Sequence, residues 1–187
     1  MTRVKLDKTI IIKYAAQLAE EVGLENITLL KLADKLGIKT PSLYNHVKGL
    51  KDVHVELALL GIESLGEVMK NASIGKAEDE AILAIAYEYR SFAKENPELY
   101  KAIINSPELN ESEVKEAGHI LVKIMFKVVQ GYYKYSEEET MHIIRGMRSI
   151  AHGFVSLEAA GSFGGRWDVD ESYKRLVEGF ILSIKKS

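Results

Sequence analysis

Residues 33–50 read ADKLGIKTPSLYNHVKGL, and this stretch decides the fold of the N-terminal part of the chain. Gly37 ends a good helical run, at a place where a helix needs a left-handed residue and glycine adopts that conformation without a Cβ penalty. Thr40 can supply an N-cap oxygen, and Pro41 fits the first helical position because its missing N–H leaves no bond unmade there. Local chemistry therefore predicts a helix, a tight turn and a short helix that runs to about Val47.

The short helix has two different faces. Leu43 and Val47 are four residues apart and are predicted to face inward. Helical geometry predicts that the other side chains point outward or sideways, namely Ser42, Tyr44, Asn45, His46 and Lys48. A helix of roughly 10 Å, at about 1.5 Å per residue, fits the DNA major groove, which is about 12 Å wide. The pattern predicts a helix-turn-helix, and the alternative is an ordinary helical hairpin with a polar outer face.

Positive charge is concentrated at the start of the chain. Residues 1–51 carry nine Lys or Arg against five Asp or Glu, a net charge of +4, and the remainder carries 16 against 22, a net charge of −6. A basic N-terminal segment followed by an acidic remainder indicates that the two parts bind different partners. We therefore expect two domains, a helix-turn-helix DNA-binding domain over residues 1–51 and a second domain over residues 52–187.

The composition excludes several classes of protein. Hydrophobic residues make up 47% of the 187, so a real core can form. The chain has no cysteine, which excludes disulfides and thiolate metal sites and is consistent with a reducing cytosol. Its apolar stretches are too short to span a bilayer, and the N-terminus lacks a secretion-signal pattern. We expect a cytoplasmic protein without a membrane partner.

The whole chain has a helical pattern, with apolar residues at spacings of three and four and almost no strand signal. Capping residues mark predicted helix starts: Asp7, Thr28, Ser136 with Glu139, and Asp170. Helical segments are predicted to stop before Pro97 and before Pro107, because the residue preceding a proline is pushed out of the helical region. The predicted fold class is all-α, a three-helix helix-turn-helix head with a larger helical bundle after it, about nine helices in total.

Two stretches resemble a known family. Residues 27–53, ITLLKLADKLGIKTPSLYNHVKGLKDV, resemble the DNA-binding domain of TetR-family transcriptional regulators, most specifically in LGIKTPSLYNHV. Residues 145–181, RGMRSIAHGFVSLEAAGSFGGRWDVDESYKRLVEGFI, resemble a regulatory-domain subtype of that family, with a His-Gly pair, a Phe-Gly loop and a final helix. The two matches occur in the order that the family has them.

The resemblance implies a homodimer that binds double-stranded DNA at a palindromic operator, with paired recognition helices in successive major grooves. It also implies that residues 52–187 form a regulatory domain for ligand binding and dimerisation, where an unknown small-molecule effector binds and releases the DNA. Repression is the family's commonest mode. The expected function is therefore that of a ligand-responsive repressor.

The resemblance also implies roles for single side chains. Thr28 would donate to a phosphate at the start of the second helix, and Tyr44 and His46 would contact the DNA backbone. Phosphate contacts position a protein and base contacts specify its site, so the sequence preference is expected from Lys39, Thr40, Ser42 and Asn45. The whole predicted DNA-binding set is Thr28, Lys39, Thr40, Pro41, Ser42, Tyr44, Asn45, His46, Lys48 and Lys51.

Two positions depart from the family pattern. The family often opens its fourth helix with Lys, and this chain has Leu50 there with Lys51 next to it. The phosphate contact at that place is then lost, moves to Lys51, or falls to the backbone amides of Gly49 and Leu50. The family's Trp upstream of the His-Gly pair is also absent.

Candidates for the dimer interface lie near the C-terminus, where small residues would let helices approach and larger ones would pack between them. The predicted interface residues are Gly153, Ser156, Ala159, Ala160, Leu176, Phe180 and Ile184. The alternative is that these faces pack only within one chain.

Candidates for the effector pocket are aromatic and Met side chains, with a few polar ones on otherwise apolar faces, where burial without a partner is costly. The predicted ligand-binding residues are Tyr89, Phe92, Tyr100, His119, Met125, Phe126, His142 and Arg145. Such residues at helical spacing are more often core than pocket.

The sequence has no pattern for catalysis. Its five histidines show no HxxxH or HExxH spacing, and the acidic run at 137–139 suits a helix start, where the macrodipole favours it. The glycine-rich loop at 161–165 has no strand before it. We expect no enzyme activity, no catalytic residue, no metal and no cofactor. The rival to a regulator is a dimeric helical small-molecule-binding protein that has lost operator binding.

Overall fold

The structure is a computed structural model that describes residues 6–185, with only the backbone for Pro107 and Tyr132. Within that range the chain forms nine α-helices, a short 3-10 helix at Leu24–Asn26 and no strand, which confirms the all-α class. The helices are α1 (Lys8–Val22), α2 (Leu29–Leu36), α3 (Thr40–Leu43), α4 (Leu50–Ser73), α5 (Glu78–Glu95), α6 (Pro97–Leu109), α7 (Ser112–Tyr132), α8 (Glu137–Ala159) and α9 (Val169–Lys185).

Several helix ends follow from the capping residues that the sequence predicts. The side chains of Asp7 and Thr28 accept backbone N–H groups at the starts of α1 and α2. Ser136 and Glu139 form the predicted capping box at the start of α8. Gly37 ends α2 with φ 66° and ψ 31°, the left-handed conformation that glycine tolerates best.

The short helix differs from its prediction at both ends. It begins at Thr40 with Lys39 as the N-cap residue, so Thr40 is not the cap and the proline after it takes the second position. It ends at Leu43 and not near Val47. The N–H groups of His46 and Val47 both donate to the carbonyl of Leu43, at 2.9 Å each, so the helix closes in a tight turn.

Two other predicted boundaries are wrong. The sixth helix continues through Pro107 to Leu109, because the missing proline N–H falls in the last turn and removes one hydrogen bond there without breaking the helix. Asp170 does not cap the last helix. The carboxylate of Asp168 accepts from the N–H groups of Asp170, at 2.8 Å, and Glu171, at 3.4 Å, and caps it instead.

The chain forms two compact units. The first comprises the residues up to Ser64 together with Asn96–Gly118, and the second comprises Leu65–Glu95 and the residues from His119 on. Helix α6 therefore belongs to the same unit as the helix-turn-helix. The predicted division of functions at residue 51 remains a prediction.

One hydrophobic cluster holds the first unit together. Leu43 and Val47 are buried in it, as their spacing predicts, with Leu32 of α2 and Leu57 of α4. Ala102 brings α6 to the same cluster. This core supports α3 from behind and leaves its other side exposed.

The second unit is organised around a buried charge. The guanidinium of Arg90, in α5, is 6% exposed and donates to the carboxylate of Glu158, in α8, at 2.7 and 2.6 Å. It also donates to Asp170, in α9, at 2.7 Å, and lies over the rings of Phe154 and Tyr173. A buried cation of this kind needs such partners, so Arg90 fixes three helices together.

Candidate nucleic-acid interface

The outer side of α3 and of the turn after it is polar and accessible. Tyr44 is 58% exposed, while its neighbour Leu43 is fully buried. The other predicted contacts on this side are exposed at Lys39, Pro41 and Asn45 and half-buried at Thr40, Ser42 and His46. The structure thus brings these seven side chains together on one short segment with a rigid support behind it.

The three lysines of the predicted interface differ in their partners. Lys39 and Lys48 make no ion pair with any residue in the described range 6–185, and both are exposed. Lys51 is also exposed, but its Nζ lies 2.6 Å from Oε1 of Glu111. Two positive charges are therefore available to an anionic partner, and a third is already neutralised.

Thr28 stands at the start of α2, where a phosphate contact is expected. Its Oγ1 accepts from the N–H of Lys31 at 3.2 Å. A hydroxyl that accepts one hydrogen bond still has its own hydrogen to donate. The cap geometry therefore suits the predicted donation from Thr28 to DNA.

Leu50 opens α4 in place of the lysine that the family often has. Its side chain is half-buried and packs against the hydrophobic cluster of the first unit. The N–H of Lys48 donates to the carboxylate of Asp52 at 3.0 Å, which ties the turn before α4 to the first turn of that helix. Leu50 therefore contributes packing, and Lys51 is the cation that this end of the helix offers.

The predicted effector-pocket residues are distributed over different environments. Phe92, Tyr100 and Met125 are buried, and Tyr89 and Phe126 are half-buried. Tyr100 belongs to the first unit and the other seven candidates to the second. The exposed candidates are His119, His142 and Arg145. Their exposure removes the argument from buried polarity, and their role stays a prediction.

A groove of about 410 Å³ opens on the second unit. It is lined by Tyr87, Arg90, Ser91, Lys94, Glu95 and Asp170. None of the predicted ligand-binding residues lines it. Two cations, hydroxyl groups and acids make this lining polar.

The predicted dimer residues lie on α8 and α9 and in the turn after α8. Ser156, Ala159, Ala160 and Leu176 are exposed, Gly153 and Phe180 are half-buried, and Ile184 is buried within its own unit. Two further leucines on these helices are exposed: Leu157 by 50% and Leu182 by 58%. An accessible apolar surface therefore exists where the interface is predicted.

Sequence reasoning missed two charged arrangements. The ion pair of Lys51 and Glu111 joins residues 60 positions apart, and the bonds from Arg90 reach 68 and 80 positions along the chain. No local pattern marks either of them. Within residues 6–185 no group of three or more metal-ligating side chains could hold an ion, and no helix is long and apolar enough to cross a membrane.

Comparisons of sequence place the chain among regulators. Residues 82–180 match the family model described as the tetracyclin repressor-like C-terminal domain. The chain is 31% identical to the uncharacterized HTH-type transcriptional regulator YobS of Bacillus subtilis (strain 168), over 97% of this chain and 94% of that protein.

Comparisons of structure agree on the fold. A protein of unknown function from Rhodococcus sp. RHA1 superposes with a TM-score of 0.85 at 21% identity, over 97% of both chains. TetR from Acinetobacter baumannii AYE superposes with a TM-score of 0.71 at 16% identity, over 97% of this chain and 98% of that one. The arrangement of helices is therefore one that transcriptional regulators use.

Proposed function

Because this chain belongs to the TetR family of transcriptional regulators, we propose that it binds a palindromic operator as a homodimer and leaves the DNA when a small-molecule effector binds. The main support for this proposal is the exposed side of α3. Leu43 and Val47 anchor the segment in the core, and Tyr44 and Asn45 stand exposed on the other side. Recognition in the major groove requires a helix that is held rigidly and offers polar side chains.

The proposed contacts divide into base readout and phosphate binding. Lys39, Thr40, Ser42 and Asn45 approach bases, since they surround the start and the outer side of α3. Phosphate contacts come from Thr28, Tyr44, His46, Lys48 and Lys51, and Pro41 packs on the DNA surface between the two groups. Lys39 and Lys48 make no ion pair with the described residues 6–185, so their charges are available for these contacts.

The proposed dimer forms through α8 and α9. A palindromic site requires two-fold symmetry in the protein that reads it, because each half-site meets one recognition helix. The exposed Leu157, Leu176 and Leu182 support this surface, since single-chain packing leaves them in solvent.

The proposed effector binds the regulatory domain, residues 52–187, and DNA binding belongs to residues 1–51. Helix α4 starts just after the recognition segment and contributes residues to both compact units. We expect effector binding to displace α4 and to favour the state that does not bind the operator. The effector must then bind that state more tightly, and the operator must weaken effector binding by the same factor.

Footprinting tests the symmetric DNA complex. Purified protein should protect two half-sites in the DNA upstream of its own gene, with centres about 34–36 Å apart or a multiple of that spacing. A compound that stabilises the protein against heat should remove the protection when it is added. Protection that is absent or has no two-fold symmetry would contradict the proposal.

The rival function is that of a dimeric helical protein that binds a small molecule and no longer binds an operator. It predicts effector binding without any footprint, and identical behaviour of the protein toward every DNA sequence. The exposed polar segment favours the regulator, as do Lys39 and Lys48, whose charges no residue in the described part of the chain pairs.

A further inference from the structure

The turn between α6 and α7 brings a carboxylate onto the start of α4. Oε1 of Glu111 lies 2.6 Å from Nζ of Lys51, and both residues belong to the first compact unit. Neither side chain is deeply buried, with 65% of Lys51 and 43% of Glu111 exposed. The pair is therefore accessible to ions and to a charged partner.

Two carboxylates fasten the beginning of α6 to the end of α1 and the short helix after it. Oε1 of Glu20 accepts from the N–H groups of Glu98, at 3.1 Å, and Leu99, at 3.2 Å. In the opposite direction, Oε2 of Glu98 accepts from the N–H of Leu24 at 2.7 Å. These bonds tie α6 to the unit that contains the helix-turn-helix.

The C-terminal end of α6 and the turn after it place Glu111 next to Lys51. Helix α6 ends at Leu109, and Asn110 follows with φ 53°, a left-handed conformation that turns the chain sharply. Nζ of Lys115 donates to the side-chain oxygen of Asn110 at 2.7 Å and supports this turn. The position of Glu111 is thus set by a fastened helix and a defined turn.

The cation that Glu111 contacts lies where DNA is expected. Lys51 stands in the first turn of α4, directly after the recognition segment, and Leu50 beside it faces the core. Lys51, followed by Lys48, holds the pKa of Glu111 below its ordinary value, so the carboxylate is ionised at neutral pH. The ammonium group of Lys51 has three donors, but the carboxylate beside it already neutralises its charge and would repel a DNA phosphate brought to the same cation.

We propose that Glu111 competes with a DNA phosphate for Lys51 and so lowers the affinity of this protein for its operator. This inference rests on the proposed function, since it assumes that the helix-turn-helix binds DNA. A DNA phosphate that approaches Lys51 must displace Glu111 or bind against the repulsion of its carboxylate. Glu111 therefore sets the operator affinity from outside the recognition helix.

Three variants test the competition: Glu111→Gln, Lys51→Gln, and the two combined. The matched control is Glu113→Gln, which removes the same charge two residues away, from a side chain that makes no ion pair within the described residues. The probe is a duplex enriched by the wild-type protein from a random-sequence library. Fluorescence anisotropy gives its affinity at salt concentrations between about 50 and 200 mM.

Glu111→Gln should bind the duplex about two- to fivefold more tightly at low salt, since exposed pairs are individually weak. Its plot of log affinity against log salt should be steeper by about 0.9 if the released Lys51 binds one additional phosphate. The tighter binding should disappear in the combined variant and should not occur in Glu113→Gln.

Unchanged affinity of Glu111→Gln would overturn the inference. An equal increase of affinity in Glu113→Gln, or an increase that persists without Lys51, would overturn it too, because the effect would then come from general charge. If the wild-type protein enriches no sequence at all, the proposed function fails first and this inference fails with it.

Discussion

Leu43 and Tyr44 are neighbours in the chain, yet the first is fully buried and the second is 58% exposed. This contrast gives α3 one side that holds it in the core and another that is free for a partner. Substitutions at the exposed positions on the free side remove little packing. They should therefore alter DNA binding and leave stability almost unchanged.

Lys39→Ala and Tyr44→Ala should each weaken operator binding by about 1–3 kcal/mol, a loss typical of a single good DNA contact. The measurement is a titration of labelled operator at two salt concentrations, with circular dichroism to check helicity.

The chain offers matched controls in α1. Lys13→Ala and Tyr14→Ala remove the same side chains from exposed positions with no predicted DNA contact, and they should bind as the wild type does. Loss of helicity in the Lys39 or Tyr44 variant would show that the exposed side of α3 has been assigned wrongly.

At the scale of helices, α4 and α6 meet at a glycine. A Cβ placed on Gly61 would lie 2.8 Å from the side chain of Ile103 and 3.0 Å from the carbonyl oxygen of Leu99. The carbonyl oxygen of Leu99 belongs to the backbone, so it cannot move aside as the end of a flexible side chain could. The close approach of the two helices therefore depends on the absence of a side chain at this position.

Gly61→Ala should lower the free energy of unfolding by about 1–3 kcal/mol, the usual cost of overpacking. Gly66→Ala is the matched control in the same helix, since its Cβ would have its nearest neighbour at an ordinary 3.6 Å. That change should be neutral or should stabilise the helix by up to about 1 kcal/mol. Urea unfolding of both variants measures the difference, and equal effects would contradict the predicted contact.

The Arg90 cluster makes stability depend on pH. Hydrogen bonds from Arg90 hold the pKa of Glu158 below its ordinary value against the opposing effect of burial, and Lys94 adds to the lowering. A carboxylate with a depressed folded-state pKa stabilises the fold fully above its unfolded pKa. That contribution is lost as the pH falls through the folded value.

Glu158→Gln should destabilise the protein by about 1–3 kcal/mol at pH 7, because hydrogen bonds to a charged group are lost. The difference from the wild type should shrink between about pH 5 and pH 3 as the wild-type carboxylate becomes protonated. Urea unfolding across this range is the measurement. Glu171→Gln, which breaks the exposed pair with Arg175, is the control and should cost less than about 1 kcal/mol. A difference that does not change with pH would contradict this account.

Prediction from the sequence succeeded where the deciding contact lies within a few residues. Thr28 caps the helix that starts at the next residue, and Gly37 ends the same helix through its own backbone conformation. Prediction was wrong where two similar residues compete for one place. Asp168 and Asp170 could each cap the last helix, and only tertiary structure, which pairs Asp170 with Arg90, separates them.

The candidate site was predictable in its helical part and not in its electrostatics. The inward positions of Leu43 and Val47 follow from spacing, and the structure confirms them. The neutralisation of Lys51 by Glu111 depends on where a distant helix ends. An arginine in the amphipathic helix α5 likewise gives no local sign that it is buried, because its partners lie on two other helices.

For the whole molecule, binding to a palindromic site requires two chains, and we propose that they associate through α8 and α9. Leu176→Glu places a charge in the predicted interface on a side chain that is 37% exposed in the single chain. It should yield monomers that keep their helicity, and it should weaken operator binding. Sedimentation velocity gives the mass in solution.

Ile74→Glu is the matched control, since Ile74 is 71% exposed and lies outside the predicted interface. It should remain dimeric. A dimer in both variants would move the interface to another surface of the protein.

As a regulator, this protein should bind one DNA sequence in preference to others. The most direct test is a titration of the purified wild-type protein with the DNA upstream of its own gene and with a scrambled duplex of equal length, at two salt concentrations. We expect tighter binding to the upstream DNA that survives the higher salt, because base contacts add to the salt-sensitive phosphate contacts. Equal binding to both duplexes that disappears at the higher salt would contradict the claim and favour the rival that only binds a small molecule.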